Sequence, residues 1–399
     1  MANQTNSTFA PMLKTLWFTG ELQNEALKNN PLLGMIPKKT DFYGDGLKIP
    51  LSFADLQGRS ATFSNAQAQA TPSKYAAFTI TRVNDYAIGR VDGETLETSQ
   101  GSKGAFMSAM EAEVKRGRNS ITRSLAVALY RSSTGCVAQV ISGTASPITV
   151  STADSYNLEV GMTIGMVTDN TGSGTLQTGT GVITGINRQA TATTATFTYS
   201  GTITTPAANY FIFVAGDYNA KLSGLAAWIP SSAPSATAFF GVDRTQDVTR
   251  LGGMRIASSS PIEEAFQSAL AQLYLAGASP DYAFMNPLDF QNLINSLGSK
   301  VVRTKVMGTA GTGYSAVEVD SPAGVVKVMA DPNCPKLSVY ILQMNTWCLY
   351  SCKEAPHLLE YGGGELLRLG DQDAVEFRMG YRAQLGCSAP GYNCVLTLS

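Results

Sequence analysis

The side chains that do most enzyme chemistry are scarce in this chain. There is one histidine, His357, and six cysteines, Cys136, Cys334, Cys348, Cys352, Cys387 and Cys394. His-based triads and His-rich metal sites need partners that a single histidine does not have. Cys348-x-x-x-Cys352 followed by His357 has a faint metal-site look. Its spacing fits no common zinc pattern, and the surrounding "LSVYILQMNTWCLYSC" reads as strand. No G-x-S-x-G elbow and no G-x-x-x-x-G-K-[ST] loop occurs. "GTGVITG" at 179–185 has its glycines at the wrong spacing for a dinucleotide fingerprint and reads as a turn between short strands. The cysteines are too few to build a fold of this size from disulfides and read as buried thiols. The expectation is a non-enzyme with no catalytic, cofactor-binding or metal residues and no cofactor.

Composition narrows the class further. At 399 residues and 44% hydrophobic content the chain can hold two or three packed units. A net charge of -1 with 15% charged residues gives no broad basic field, so strong sequence-independent DNA affinity is not expected. The opening "MANQTNSTFA" has no basic stretch followed by an apolar run, and no segment approaches the ~18 apolar residues of a spanning helix. That reading is of a protein made, and working, in a cytosol.

With chemistry set aside, the elements themselves carry the information. "LKIPLSF" alternates Leu47, Ile49, Leu51 and Phe53 with polar positions, the period of a half-buried strand, and Pro50 marks an edge. "AAFTITRVNDYAIGRV" reads as its return strand. Between them "GRSATFSNAQAQATPSKY", residues 58–75, is too long and polar for a simple hairpin turn. The result is a two-stranded ribbon with a polar tip, which needs another surface to lie on. Residues 101–131 form the clearest helix, with Phe106, Met110, Val114, Ile121, Leu125 and Ala128 on one stripe, Gly117 within it, and Lys115, Arg116, Arg118 and Arg123 on the other face. That basic face is either solvated or turned toward phosphate or acidic neighbours. Residues 137–220 are rich in Gly, Thr and Ser, with Asp154, Glu159, Asp169 and Arg188 the only charges between Val137 and Ala215, and read as an all-β barrel or sandwich. The remainder is mixed, with helices at "PIEEAFQSALAQLYLAG" and at "PLDFQNLINSLG" after an Asn286 N-cap, so the class is α+β with a β insertion.

Several strings accompany that order of parts: "NPLLGMIPKKTDFYGD" at 30–45, "GRSATF" at 58–63, "VDGETLE" at 91–97, "FFGVDRTQD" at 239–247, "YAFMNPLDF" at 282–290, "ADPNCP" at 330–335 and "GYRAQLGCSAPG" at 380–391. Together they resemble the major capsid proteins of tailed bacteriophages, which share the HK97-type fold. The resemblance implies an N-terminal arm at 1–40, an extended loop at 41–98, a spine helix at 99–136 and an inserted all-β domain at 137–222. A peripheral connection at 223–255, an axial domain at 256–350, and C-terminal strands of the peripheral and axial domains at 351–399 complete it. The implied function is a coat protein that assembles into hexamers and pentamers of an icosahedral head shell around double-stranded DNA.

The residues expected to carry that function are Phe53, Arg59, Phe63, Lys74 and Tyr75 on the extended loop, and Trp17 and Phe18 as anchors of the arm. Arg116, Arg118 and Arg123 form the basic face of the helix, and Gly117 is a hinge within it. The implied partners are other copies of the chain, the portal, a separate scaffolding protein, a cement protein and non-specifically packaged DNA, with no membrane. The implied location is the virion, after assembly in the host cytoplasm. The chain begins directly with the arm, leaving no room for a cleaved scaffolding segment, and nothing local marks Lys48 or Lys74 for cross-linking. An encapsulin-like nanocompartment shell enclosing cargo enzymes shares the fold and is the alternative. A β-rich adhesin or tail component would leave the helix and the mixed lobe unexplained.

Overall fold

The computed structural model describes residues 30–93, 103–204, 206–298, 302–307, 313–360, 366–368, 370 and 373–399, without the side chains of 103–112, 302, 303, 366 and 368. The anticipated anchors Trp17 and Phe18 lie outside the described residues. Among these residues the strands form four sheets.

The chain is already inside the body at Pro31. The short helix Pro31–Met35 is buried, and Leu32, Leu33, Ile36 and Phe42 are each 1% exposed. Lys38–Lys39 then runs parallel to Trp347–Ser351. Residues 30–36 are therefore core, while Pro37, Lys39 and Thr40 are exposed, and an arm reaching to 40 is corrected to that extent: "PLLGMI" is apolar because it fills the subunit's own interior.

The ribbon pairs Gly46–Ala54 with Lys74–Thr81, with Ile49 opposite Phe78 and Leu47 opposite Ile80. Those four side chains point toward the body, and Phe78 and Ile80 are fully buried. Pro50 lies opposite Ala77, two residues along from the Lys48 and Thr79 pair. Thr79 N–H turns away from the ribbon to donate to Phe240 O at 2.9 Å. By the alternation of a ladder, the donor that Pro50 lacks would face the outer edge, where its absence costs no pairing.

The return strand does not continue as one element. After Thr81 the chain turns a corner at Arg82, whose Nη1 donates to Phe42 O at 2.8 Å and whose guanidinium lies over the Phe42 ring. Val83–Asp92 then joins a different sheet, pairing along its whole length with Ala374–Cys387. The spine helix Lys103–Tyr130 packs on that sheet and buries Val114, Ile121, Leu125 and Ala128, as its stripe requires.

Cys136–Ser142, Ile148–Ser151, Thr163–Val167, Gly181–Asn187, Thr194–Gly201 and Phe211–Val214 close into a six-stranded barrel. It has its own interior of Val140, Ile148, Val150, Ile164, Met166, Ile183, Phe197 and Ile212. Closure removes the unpaired edges that a Thr-rich, weakly charged sheet would otherwise expose.

The lobe that follows is a seven-stranded mixed sheet. The helices Ile262–Leu275 and Pro287–Leu297 pack on one of its faces through Phe266, Leu270, Leu273 and Leu293. Asn286 caps the second helix, its side chain accepting from Leu288 N at 3.1 Å. The run "KLSVYILQMNTWCLYS" reads as one strand but supplies two: Ser338–Leu342 lies in the lobe, and Trp347–Ser351 pairs with Ala374–Cys387 in the other sheet. The C-terminal Cys394–Leu398 sits between Met254–Ser258 and Ser338–Leu342, stitching the chain's end into the lobe.

Candidate functional site

No reactive cluster emerges. Among the described residues no group of three or more His, Cys, Asp or Glu could hold a metal ion. His357 Nδ1 is taken up by Glu354 O at 2.7 Å, and Cys352 Sγ faces Phe42 O at 3.4 Å. All six cysteines are free. Burial pushes the Cys387 and Cys394 thiols up to about 12 and the Cys136 thiol to about 11, which keeps them from being nucleophiles.

The most distinctive surface is the ribbon tip. Gln57 and Thr71 exchange backbone hydrogen bonds across it, and beyond them Phe63–Ala68 forms a short helix with no buried residue. Phe63 is 83% exposed, Tyr75 74% and Leu56 69%, unusual for large apolar side chains with nothing over them. Arg59 and Lys74 are exposed beside them. The helix was not legible in the sequence, because "FSNAQA" has no capping side chain and one isolated turn has no periodicity to read.

Phe53 does not belong to this surface. It is 6% exposed within the main core, and Arg250 Nη1 ties its carbonyl at 2.8 Å. It packs inward at the tip end of the ladder, in the bulge between the Ser52–Tyr75 and Ala54–Lys74 pairs, and the ribbon's base lies further back. That base is aromatic: Trp228 lies 5.0 Å from Phe78 and 5.1 Å from Phe239, both edge-to-face, and its Nε1 donates to Leu385 O at 3.1 Å. Arg244 stacks 4.2 Å from the Phe239 ring and donates to Ala227 O at 2.9 Å. Burial, then the neighbouring Arg255 charge, lowers its guanidinium to about 10. A rigid foot thus carries a tip that has no core of its own.

The basic face of the spine helix is divided among three environments. Arg116 stays outward, its side chain 79% exposed, with Glu113 3.6 Å away. Arg118 is half-buried, and desolvation lowers its pKa against the opposing pull of Glu354. Arg123 meets Glu159 of the barrel at 2.7 Å. That carboxylate belongs to the same chain. Gly117 lies inside a helix that runs without a break from 103 to 130. A Cβ built there would stand 3.0 Å from Phe377 Cε2, so the glycine is explained by the close approach of that ring.

Two polar hubs were not anticipated. Asp331, fully buried within "ADPNCP", accepts from Leu32 N at 3.2 Å, Tyr130 OH at 2.9 Å, and Asn333 N and Nδ2 at 2.9 and 3.0 Å. It joins the entry helix to the end of the spine helix. Lys221 bridges Asp85 at 2.8 Å and Asp217 at 3.0 Å. Ser124 and Tyr381 also donate to Asp85, so the strand Val83–Asp92, the spine helix, the barrel exit and the strand Ala374–Cys387 meet there. The bonds of Asp331 to Asn333 are local, but those to Leu32 and Tyr130 span 299 and 201 residues and leave no trace in the string around Asp331.

A ribbon with a buried foot, a long helix lying on a sheet and a separate lobe are the parts that the comparisons with solved structures have to match. The structure is similar to the Cyanophage A-1(L) capsid subunit, at 12% identity and a TM-score of 0.55, with 92% of each chain covered. Weaker likenesses are to the capsid of a native GTA particle, at 10% identity, TM-score 0.48, covering 94% of this chain and 90% of that one. Another is to the SrpI encapsulin of Synechococcus elongatus PCC 7942, at 8% identity, TM-score 0.45, covering 92% and 86%. Residues 170–358 match the SU10 major capsid protein family. No curated relative matches the sequence. The fold is HK97-like, as in that phage capsid subunit, and the match to the major capsid protein family covers a little under half of the chain. Among the described residues no helix is long and apolar enough to cross a membrane.

Proposed function

We propose that copies of this chain assemble into hexamers and pentamers that close into an icosahedral shell around double-stranded DNA, each subunit gripping the next through its ribbon tip. The observation that carries this reading is the contrast along one ribbon: Phe78 at its foot is fully buried, while Phe63 at its tip is 83% exposed. A tip that is folded yet unsatisfied gains its burial from another molecule, and Leu56, Arg59, Phe63, Lys74 and Tyr75 are the contact set. Each such contact can be weak, because a closed shell sums many of them.

No bond is made or broken by the subunit in this role. A portal and a separate scaffolding protein guide assembly in the host cytoplasm, the outward Arg116 is available to packaged DNA or an acidic neighbour, and the barrel is the surface a cement protein would meet. Electron cryo-microscopy of the purified protein, expressed alone and with a scaffolding protein, tests the reading. Closed shells or capsomers are expected, and their absence under both conditions would overturn it.

A further inference from the structure

The barrel is attached to the body in an uneven way. Its buried apolar side chains form clusters separate from the main core. Between it and the spine helix lies a groove of ≈ 1000 Å³, with Ile121, Val127, Val137 and Met162 among its lining residues. Among the described residues two ion pairs cross from the end of the helix to the barrel, and near the crossing Lys221 ties the barrel exit to Asp85. Arg131 and Asp154, 2.9 Å apart with side chains 17% and 21% exposed, sit beside the chain crossing into the barrel. Arg123 and Glu159, 2.7 Å apart with side chains 40% and 55% exposed, sit two helical turns away. The crossing segments carry left-handed residues, Gly135 at φ 72°, Gly216 at 91° and Asn219 at 58°.

Glu159 has a second cation within reach. Arg188 Nη2 lies 3.5 Å from its other oxygen and is itself held in the barrel by donating to Leu158 O at 2.8 Å. When the Arg123 contact opens, Glu159 is therefore not left unpaired. We infer that the barrel is a rigid body pivoting at Arg131 and Asp154, with Arg123 and Glu159 as a releasable latch that holds it over the groove and Arg188 as the carboxylate's partner when the latch is open. Units joined by a small polar interface move relative to one another unless something larger holds them, and an exposed pair of this kind weakens as salt rises.

The test measures distances between spin labels at Thr184→Cys on the barrel and Ser268→Cys on the lobe. It uses a Cys352→Ser background, since the other five native cysteines are buried, and labelled chains are diluted into unlabelled ones. Wild-type protein should show a main distance at low ionic strength and a second population growing with salt. Arg123→Gln should raise that second population about two- to fivefold at low salt, the range a surface ion pair commands, while the melting temperature holds. A single narrow distance in both proteins at every ionic strength would overturn the inference, as would a second population indifferent to both salt and Arg123.

Discussion

The ring of Phe377 is clamped between Gly117 of the spine helix and Gly89 of the adjoining strand: a Cβ built at Gly117 would lie 3.0 Å from Phe377 Cε2, and one at Gly89 would lie 2.1 Å from its Cζ. Gly117→Ala gains about 1 kcal/mol in helix propensity and pays roughly 1–3 kcal/mol for overpacking. A net loss of about 1 kcal/mol in denaturant unfolding is expected. Phe377→Leu in the same chain should remove most of the penalty attributable to Gly117→Ala, a coupling that a free hinge glycine would not show.

The foot and tip of the ribbon separate stability from association. Phe78→Ala should destabilise the subunit by about 3–5 kcal/mol, the usual loss for a buried aromatic. Phe63→Ala, removing a side chain that touches almost nothing in its own subunit, should change unfolding by no more than about 0.5 kcal/mol yet lower the yield of assembled particles seen by sedimentation. Equal effects of the two substitutions on unfolding would place Phe63 in the core.

Asp331 satisfies buried donors from two distant parts of the chain, so its loss strands them. Asp331→Ala should cost about 3 kcal/mol or more, and Tyr130→Phe about 1 kcal/mol, as measured by thermal or denaturant unfolding. Asp331→Ala behaving like an ordinary surface substitution would show that the hub does not anchor the entry helix.

Glu376, its side chain 2% exposed, is gripped by Arg378 at 2.5 Å and Arg90 at 2.8 Å. Those hydrogen bonds, Arg378 first, hold its carboxyl below its ordinary 4.5. A depressed folded value means that the group's contribution is complete above 4.5 and is lost as pH falls through the lower folded value. Stability measured against pH should decline in that acid window, and Glu376→Gln should flatten the decline there while leaving the slope near neutrality unchanged.

Much of this was readable from residue patterns, and the failures share a cause. The alternation of residues 47–53 and the stripe of the spine helix report which face is buried: Ile49, Phe53, Val114, Ile121, Leu125 and Ala128 are buried and Leu47 and Leu51 half-buried, while the side chains of Phe106 and Met110 lie outside the described residues. Alternation does not report which sheet a strand joins. In residues 75–92 the inward phase changes at Arg82, from Phe78 and Ile80 to Val83 and Ala87, which leaves Tyr86 and Ile88 exposed, and residues 338–351 are almost continuously buried, so each was read as one strand where there are two. Phe53 was expected on a contact surface from its place on the extended loop, yet the alternation of its run points it inward, where it is 6% exposed. Asp331 and Lys221 are polar residues made necessary by long-range packing, which a local pattern does not encode.

The central claim is that the tip serves other subunits and not its own. Deleting residues 60–72 and comparing the product with wild type, by unfolding and by electron cryo-microscopy, measures it directly. The account predicts a folded, soluble subunit with near wild-type stability that fails to complete closed shells. A deletion that unfolds the subunit, or one that still builds complete shells, would contradict it.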